Sequence, residues 1–263
     1  MHRLIVAISL STLSFAALGQ PAAAEQAWVR QSNVYTNMLL DVQLAHAPEQ
    51  GSQQGVAKFD QSITDPTRAD EIAARREFEA ALVKIKAARA AESDKNVRQD
   101  LEILQKAFSL QFRTEDYGLE HEVPFINASA IVFQGLRGLL DDQVAAARRP
   151  AALIRLRKYA GMEPSYKPFT ELLKARELEQ IAKPGVIYPS QSEVQTELGR
   201  NSNYVEGIAA LFKKYQLEGW EPAYAKLQDQ LTGYDAWVKS NILPKARSDF
   251  RLPPAKYALA FEA

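Results

Sequence analysis

Apolar residues recur at three- and four-residue steps through most of the chain, and this periodicity limits the fold more than any other feature. Phe78, Leu82 and Ile85 step by four and three. Val97, Leu101, Leu104, Phe108 and Gln111 or Phe112 repeat the pattern, so each set falls on one helix face. The polar turn Glu92-Ser93-Asp94 separates the two, which predicts an antiparallel αα-hairpin. An earlier helix is predicted from residue 26 to about 46, with Trp28, Val34 or Tyr35, Met38, Leu39 and Val42 inward. Two late stripes are the clearest. Tyr204, Ile208, Leu211 and Tyr215 form one; Tyr224, Leu227, Leu231, Tyr234 and Val238 form the other, opened by Pro222 and stopped by Pro244. No alternating β-branched run is long enough for a sheet, and no repeat of roughly 20–50 residues marks a solenoid. The expected fold class is all-α, a multi-helix antiparallel bundle.

Prolines, glycines and capping residues punctuate the pattern. Residues 47–55 hold two glycines and a proline and are predicted to be a loop. Asp65-Pro66 reads as an N-cap with proline at the first helical position. Pro124 opens an apolar stretch, residues 125–140, whose Gly135 and Gly138 imply close packing or a kink. Pro150 reopens a helix that ends at Gly161, and Pro168 opens another closed by Lys183-Pro184-Gly185. Ser190 and Glu193 have capping-box spacing.

The first residues have the form of an export signal. Met1-His2-Arg3 is basic, residues 4–18 are apolar and uncharged, and Gly19-Gln20-Pro21 breaks the run. Ala22-Ala23-Ala24 supplies the small residues for cleavage after Ala24. The apolar run falls short of the ~20 residues a membrane-spanning helix needs, so no membrane insertion is expected after cleavage. The predicted organisation is a signal peptide at 1–24 and a helical body at 25–263, located in the periplasm or secreted. Removing 1–24 takes Arg3 from the 32 basic residues and nothing from the 32 acidic ones, a formal charge of −1. Near-neutrality gives no reason to expect nucleic acid as a partner. With no cysteine, the chain has no disulfide, thiol nucleophile or thiolate metal ligand.

The search for chemistry among these residues returns no catalytic, cofactor-binding or metal residue. His121-Glu122 begins like a zinc-hydrolase helix, but Phe125 stands where the second histidine belongs and Pro124 intervenes. His46 and His121 are better read as surface or hydrogen-bonded side chains than as a converging pair. Ser52, in Gly51-Ser52-Gln53-Gln54-Gly55, lacks the order and the preceding strand of a nucleophile elbow. Asp141-Asp142 is a carboxylate pair near a predicted helix end. Arg148, Arg149, Arg155, Arg157 and Lys158 form the densest basic cluster. Asp141, Asp142 and Glu163 lie close in sequence, so internal pairing is preferred over an anion site. Trp220 and Trp237 fall off the strictest helical register and are candidates to line a groove or meet another body.

Several segments, in order, resemble the bacterial domain-of-unknown-function 885 family. They are residues 48–55 followed by Phe59-Asp60 and Asp65; Arg98-Gln99-Asp100-Leu101 with Ile103-Leu104; and Pro124-Phe125-Ile126-Asn127 through Gln134-Gly135-Leu136. Arg155-Leu156-Arg157-Lys158-Tyr159, residues 204–216, and Leu243-Pro244 through Leu252-Pro253-Pro254-Ala255-Lys256-Tyr257 continue the series. The resemblance implies an exported helical zincin-type metallopeptidase fold, of which residues 25–263 match the N-terminal half. It places zinc, the His-Glu helix and the catalytic residues in a C-terminal half, so none is carried over to this chain. Residues 251–263 read as the start of a further helix with apolar Tyr257, Leu259 and Phe261, and the expectation is a truncated body. The expected role is then a helical scaffold and substrate-cleft wall, inactive alone, whose partners are the missing half and a peptide substrate. The alternative is a free-standing periplasmic helical binding or adaptor protein.

Overall fold

The computed structural model describes residues 26–262; the expected export segment lies outside them. The described residues form ten α-helices and no strand, the all-α class the periodicity predicts. The first four helices are α1 (Ala27–His46), α2 (Pro48–Gln53), α3 (Arg68–Ala91) and α4 (Lys95–His121). Leu39 of α1, Phe78, Leu82 and Ile85 of α3, and Val97, Leu101 and Leu104 of α4 are buried together. The Phe78 and Phe108 rings meet at 5.0 Å and extend this core along the hairpin. Tyr35, not Val34, faces inward; Val34 is exposed.

Local chemistry sets the helix starts. Asp94 Oδ1 accepts from Asn96 N and Val97 N at 2.8 and 3.3 Å, which caps α4 at the predicted turn. The cap of α3 lies two residues later than Asp65. Thr67 Oγ1 accepts from Asp70 N at 3.3 Å, while Asp65 Oδ1 accepts from Thr67 N at 3.0 Å and shapes the entering turn. The predicted loop 47–55 is largely helical. Pro48 occupies its first turn, and Gly51 serves packing rather than turning. A Cβ on Gly51 would stand 2.3 Å from the Phe59 ring, so only glycine lets α2 lie against that side chain.

A second body contains α5 (Ala128–Arg137), α6 (Ala151–Tyr159), α7 (Phe169–Ile181), α8 (Gln191–Lys214) and α9 (Glu221–Asn241). Its continuous core includes Val132, Leu136, Leu156, Leu173, Ile208, Phe212, Leu227, Leu231 and Val238. Ser190 caps α8 as its spacing predicts, accepting from Glu193 N at 3.3 Å. The buried stripe of α8 runs through Val194, Asn201, Ile208 and Phe212, with Leu211 and Tyr215 at its margin. Gly135 is a close-packing position: a Cβ there would meet Tyr159 Oη at 2.3 Å. Both late tryptophans pack on aromatic neighbours. Trp220 is buried between Phe212 and Tyr224, and Trp237 stacks on Tyr234 at 6.0 Å.

Polar contacts join the two cores. Arg176 of α7, 2% exposed, reaches Glu71 of α3 through Nε at 3.0 Å and Nη2 at 2.8 Å. Glu49 of α2 accepts from Tyr159 Oη at 2.7 Å and from the backbone and hydroxyl of Thr64 at 2.9 and 2.6 Å. A final helix, α10 (Pro254–Glu262), lies along α4.

Candidate functional site

The last turns of α4 and the flank of α10 enclose an open cleft of about 500 Å³. The inward stripe of α4 continues through Phe108 and Phe112 and then loses its apolar character, so its later turns carry Arg113, Asp116, Tyr117, Glu120 and His121 toward α10. Ala258 and Leu259 give α10 a small apolar side facing them. Two ion pairs fasten the helix: Arg113 with Glu262, and Lys256 Nζ with Glu122 Oε2 at 2.8 Å. Arg75 of α3 braces the neighbouring turn. It donates to Glu79 and Asp116 at 2.8 and 3.1 Å, with its guanidinium 3.7 Å from the Phe112 ring centroid.

The His121 ring lies 4.8 Å from that of Tyr117, and its Nε2 is 3.8 Å from Glu120 Oε2. Burial and then the Glu122 charge raise the Tyr117 hydroxyl above its ordinary pKa, against an opposing Arg247. The imidazole of His121 thus stands between a tyrosine ring and an exposed carboxylate on the wall of this cleft. The outer side of the same segment is aromatic. No residue of α10 is buried, Tyr257 and Phe261 are 60% and 82% exposed, and their rings stack at 6.3 Å. Phe250 and Leu252 just before the helix are exposed as well.

The other sequence candidates are engaged in structure. His46 Nδ1 lies 2.6 Å from Asp70 and its Nε2 3.4 Å from Glu77, while His121 sits with Tyr117 and Glu120. Ser52 Oγ donates to Asp60 Oδ1 at 2.7 Å, with no histidine bonded to it. Burial pushes the Asp60 carboxyl up, but bonds from Arg148 and Ser52 outweigh it and leave the group below its ordinary range. The two adjacent aspartates diverge. Asp141 Oδ1 accepts from Gln143 N, and Asp142 accepts from Lys214 and Tyr215, both at 2.9 Å.

Internal pairing takes most of the basic cluster, with distant partners for Arg148 and Arg155 and near ones for Arg149 and Arg157. Arg148 grips Asp60 at 2.6 and 2.8 Å, Arg149 donates to the carbonyls of Asp141 and Val144, and Arg155 to those of Gly135 and Phe59. Arg157 pairs with Glu163 as expected.

Glu177 escaped the sequence reading. It is fully buried on α7, accepts from Ile126 N at 3.4 Å through Oε1, and its Oε2 has no hydrogen-bond partner. Burial raises its pKa to about 8, against the opposing hydroxyl of Tyr234 and the backbone of Ile126. The available signal was register: Leu173 and Glu177 are one helical step apart, so a glutamate occupies the inward row.

Among the described residues no group of three or more His, Cys, Asp or Glu could hold a metal ion. None of the described helices is long and apolar enough to cross a membrane. Compared with known proteins, residues 48–263 match the family described as "Bacterial protein of unknown function (DUF885)". No curated protein and no solved structure matches the chain.

Proposed function

Because this chain belongs to the bacterial family of unknown function DUF885, we propose that it is the helical scaffold and cleft wall of an exported zinc-dependent peptidase-like hydrolase. In this reading the zinc ligands belong to a further helical body, which seats on α10 and closes the cleft over a peptide. The side chains of the described residues do not fit a zinc ion: the two ring nitrogens of His46 address different carboxylates, and among those residues His121 has only Glu120 within ion-pair distance. No catalytic step is therefore assigned to them.

The observation that carries the reading is the exposed aromatic face of α10. Soluble surfaces scatter single apolar residues, whereas stacked Tyr257 and Phe261 following Phe250 and Leu252 give a helix whose apolar side is uncovered. The family's resemblance to zincin-type enzymes supplies the reaction class. The test is zinc titration of the purified chain with parallel assay of an unstructured peptide. Neither stoichiometric zinc nor cleavage is expected; one tightly bound zinc per chain with peptide hydrolysis overturns the proposal.

The second reading, a free-standing periplasmic binding or adaptor protein, draws on the closed core of α5–α9. It requires a monomeric chain that unfolds cooperatively without binding a hydrophobic dye. Dye binding that Tyr257→Ser with Phe261→Ser abolishes favours the scaffold reading.

A further inference from the structure

We propose that the cleft between residues 57–62 and helix α6 binds a phosphate-class oxyanion, free or as the terminal group of a small molecule. This site is separate from the α4–α10 cleft and independent of the role proposed above. It has a volume of about 670 Å³. Its charged lining consists of Lys58, Arg148 and Lys158 against one acid, Asp60.

That acid is already occupied. Asp60 is 5% exposed and takes both Nε and Nη2 of Arg148 as well as the Ser52 hydroxyl. Arg148 Nη2 also donates to Ser52 O at 2.8 Å, while its Nη1 donates to no described residue. The guanidinium is thus fixed in place with one donor edge left over, in a side chain 20% exposed.

The two lysines carry no carboxylate partner among the described residues. Lys58 Nζ lies 4.8 Å from the Phe59 ring centroid, and Lys158 Nζ lies 4.7 Å from that of Tyr166. Arg155, fully buried beside this cleft, donates only to carbonyls, so its charge adds to the same positive field. Pro150 and Ala151 bring the first turn of α6 to the lining, where the helix dipole also favours an anion. A preset guanidinium edge, two ammonium groups and a hydroxyl at Ser62 match a tetrahedral dianion better than a planar monocarboxylate. Arg149 and Arg157, the other members of the basic cluster, are engaged elsewhere.

Backbone amide shifts of the isotopically labelled chain would be followed during titration with inorganic phosphate, glycerol 2-phosphate, acetate and uncharged glycerol. Saturable shifts confined to residues 58–62 and 148–154 are expected with the phosphates, not with acetate or glycerol. Tighter binding of the monoester assigns the site to a phosphorylated small molecule; equal or weaker binding assigns it to free phosphate. Lys58→Gln with Lys158→Gln should weaken binding at least ~10-fold, with the melting temperature unchanged, because two unpaired cations are lost from the surface. Lys86→Gln, outside the cleft, should have no effect. The proposal is overturned if phosphate gives no saturable response, if acetate binds equally, or if the double variant binds as well as the parent.

Discussion

Glu177→Gln isolates the energetic effect of a buried acid. Burial raises the Glu177 pKa from 4.5 to about 8, so the native state keeps a proton that the unfolded chain releases as pH rises through the ordinary glutamate range. Bound protons are then more numerous in the folded state, and stability falls with rising pH. The loss starts near pH 4.5 and levels off above pH 8. At ~1.36 kcal/mol per pKa unit it amounts to about 5 kcal/mol at the plateau and about 3 kcal/mol at pH 7. Glutamine keeps the shape and an acceptor for Ile126 N but never ionises, so the variant should escape this loss. A chain of this size shifts by roughly 2–4 °C per kcal/mol, which predicts a melting temperature ~6–12 °C above the parent at pH 7. Near pH 4.5 the two proteins should melt together. Circular dichroism melts across this range are the assay. Parallel pH profiles for parent and variant would refute the reasoning, because they would mean that Glu177 meets water or a cation in the folded protein.

Arg176→Ala removes the fork that ties α7 to α3 and leaves Glu71, 10% exposed, with only the half-exposed Arg68 at 3.1 Å; urea denaturation should show a loss of about 3 kcal/mol, the low end for a broken buried pair. Gly135→Ala drives a methyl group into the Tyr159 hydroxyl and should cost about 1–3 kcal/mol. Gly199→Ala, in α8 with nothing within 4 Å of the added methyl, should instead stabilise by about 1 kcal/mol in the same assay. Tyr257→Ser with Phe261→Ser should change stability by under about 0.5 kcal/mol, since neither ring is buried, while lowering hydrophobic-dye fluorescence.

Helix positions were legible because each depends on residues within one turn of one another. Asp94, Asn127 and Ser190 cap helices through bonds that span two or three residues, and Phe78, Leu82 and Ile85 bury the face their spacing defines. Where local rules compete, tertiary packing decided. Residues 47–55 carry loop punctuation, yet Gly51 is there because the Phe59 ring is. Asp65-Pro66 has the chemistry of a cap, but Thr67 stands closer to the first free amide of α3. The site was less legible, because its contacts join residues far apart in the chain. Arg148 meets Asp60, 88 residues away, although Asp141 and Asp142 are nearer in sequence. Sequence proximity counts candidate charges; it does not orient them.

The same distinction explains how the two bodies are held together. Each core is apolar and closed by its own helices, whereas Arg176–Glu71, Arg148–Asp60 and Tyr159–Glu49 cross between them. A polar junction does not gain stability from burial alone, since removing charges from water is unfavourable until each hydrogen bond is made. Its bonds are directional, so they fix how α2 and α3 sit on α6 and α7, which apolar contact specifies less sharply. The cleft beside Asp60 is a consequence of that arrangement. Asp60 and Ser52 hold Arg148 at that cleft, and Lys58 and Lys158 line it as well, from segments a hundred residues apart. If the junction positions the anion site, Arg176→Ala should weaken phosphate binding although Arg176 does not line that cleft. Unchanged binding by a folded Arg176→Ala chain would show that the 57–62 segment is held by Arg148 and Arg155 alone.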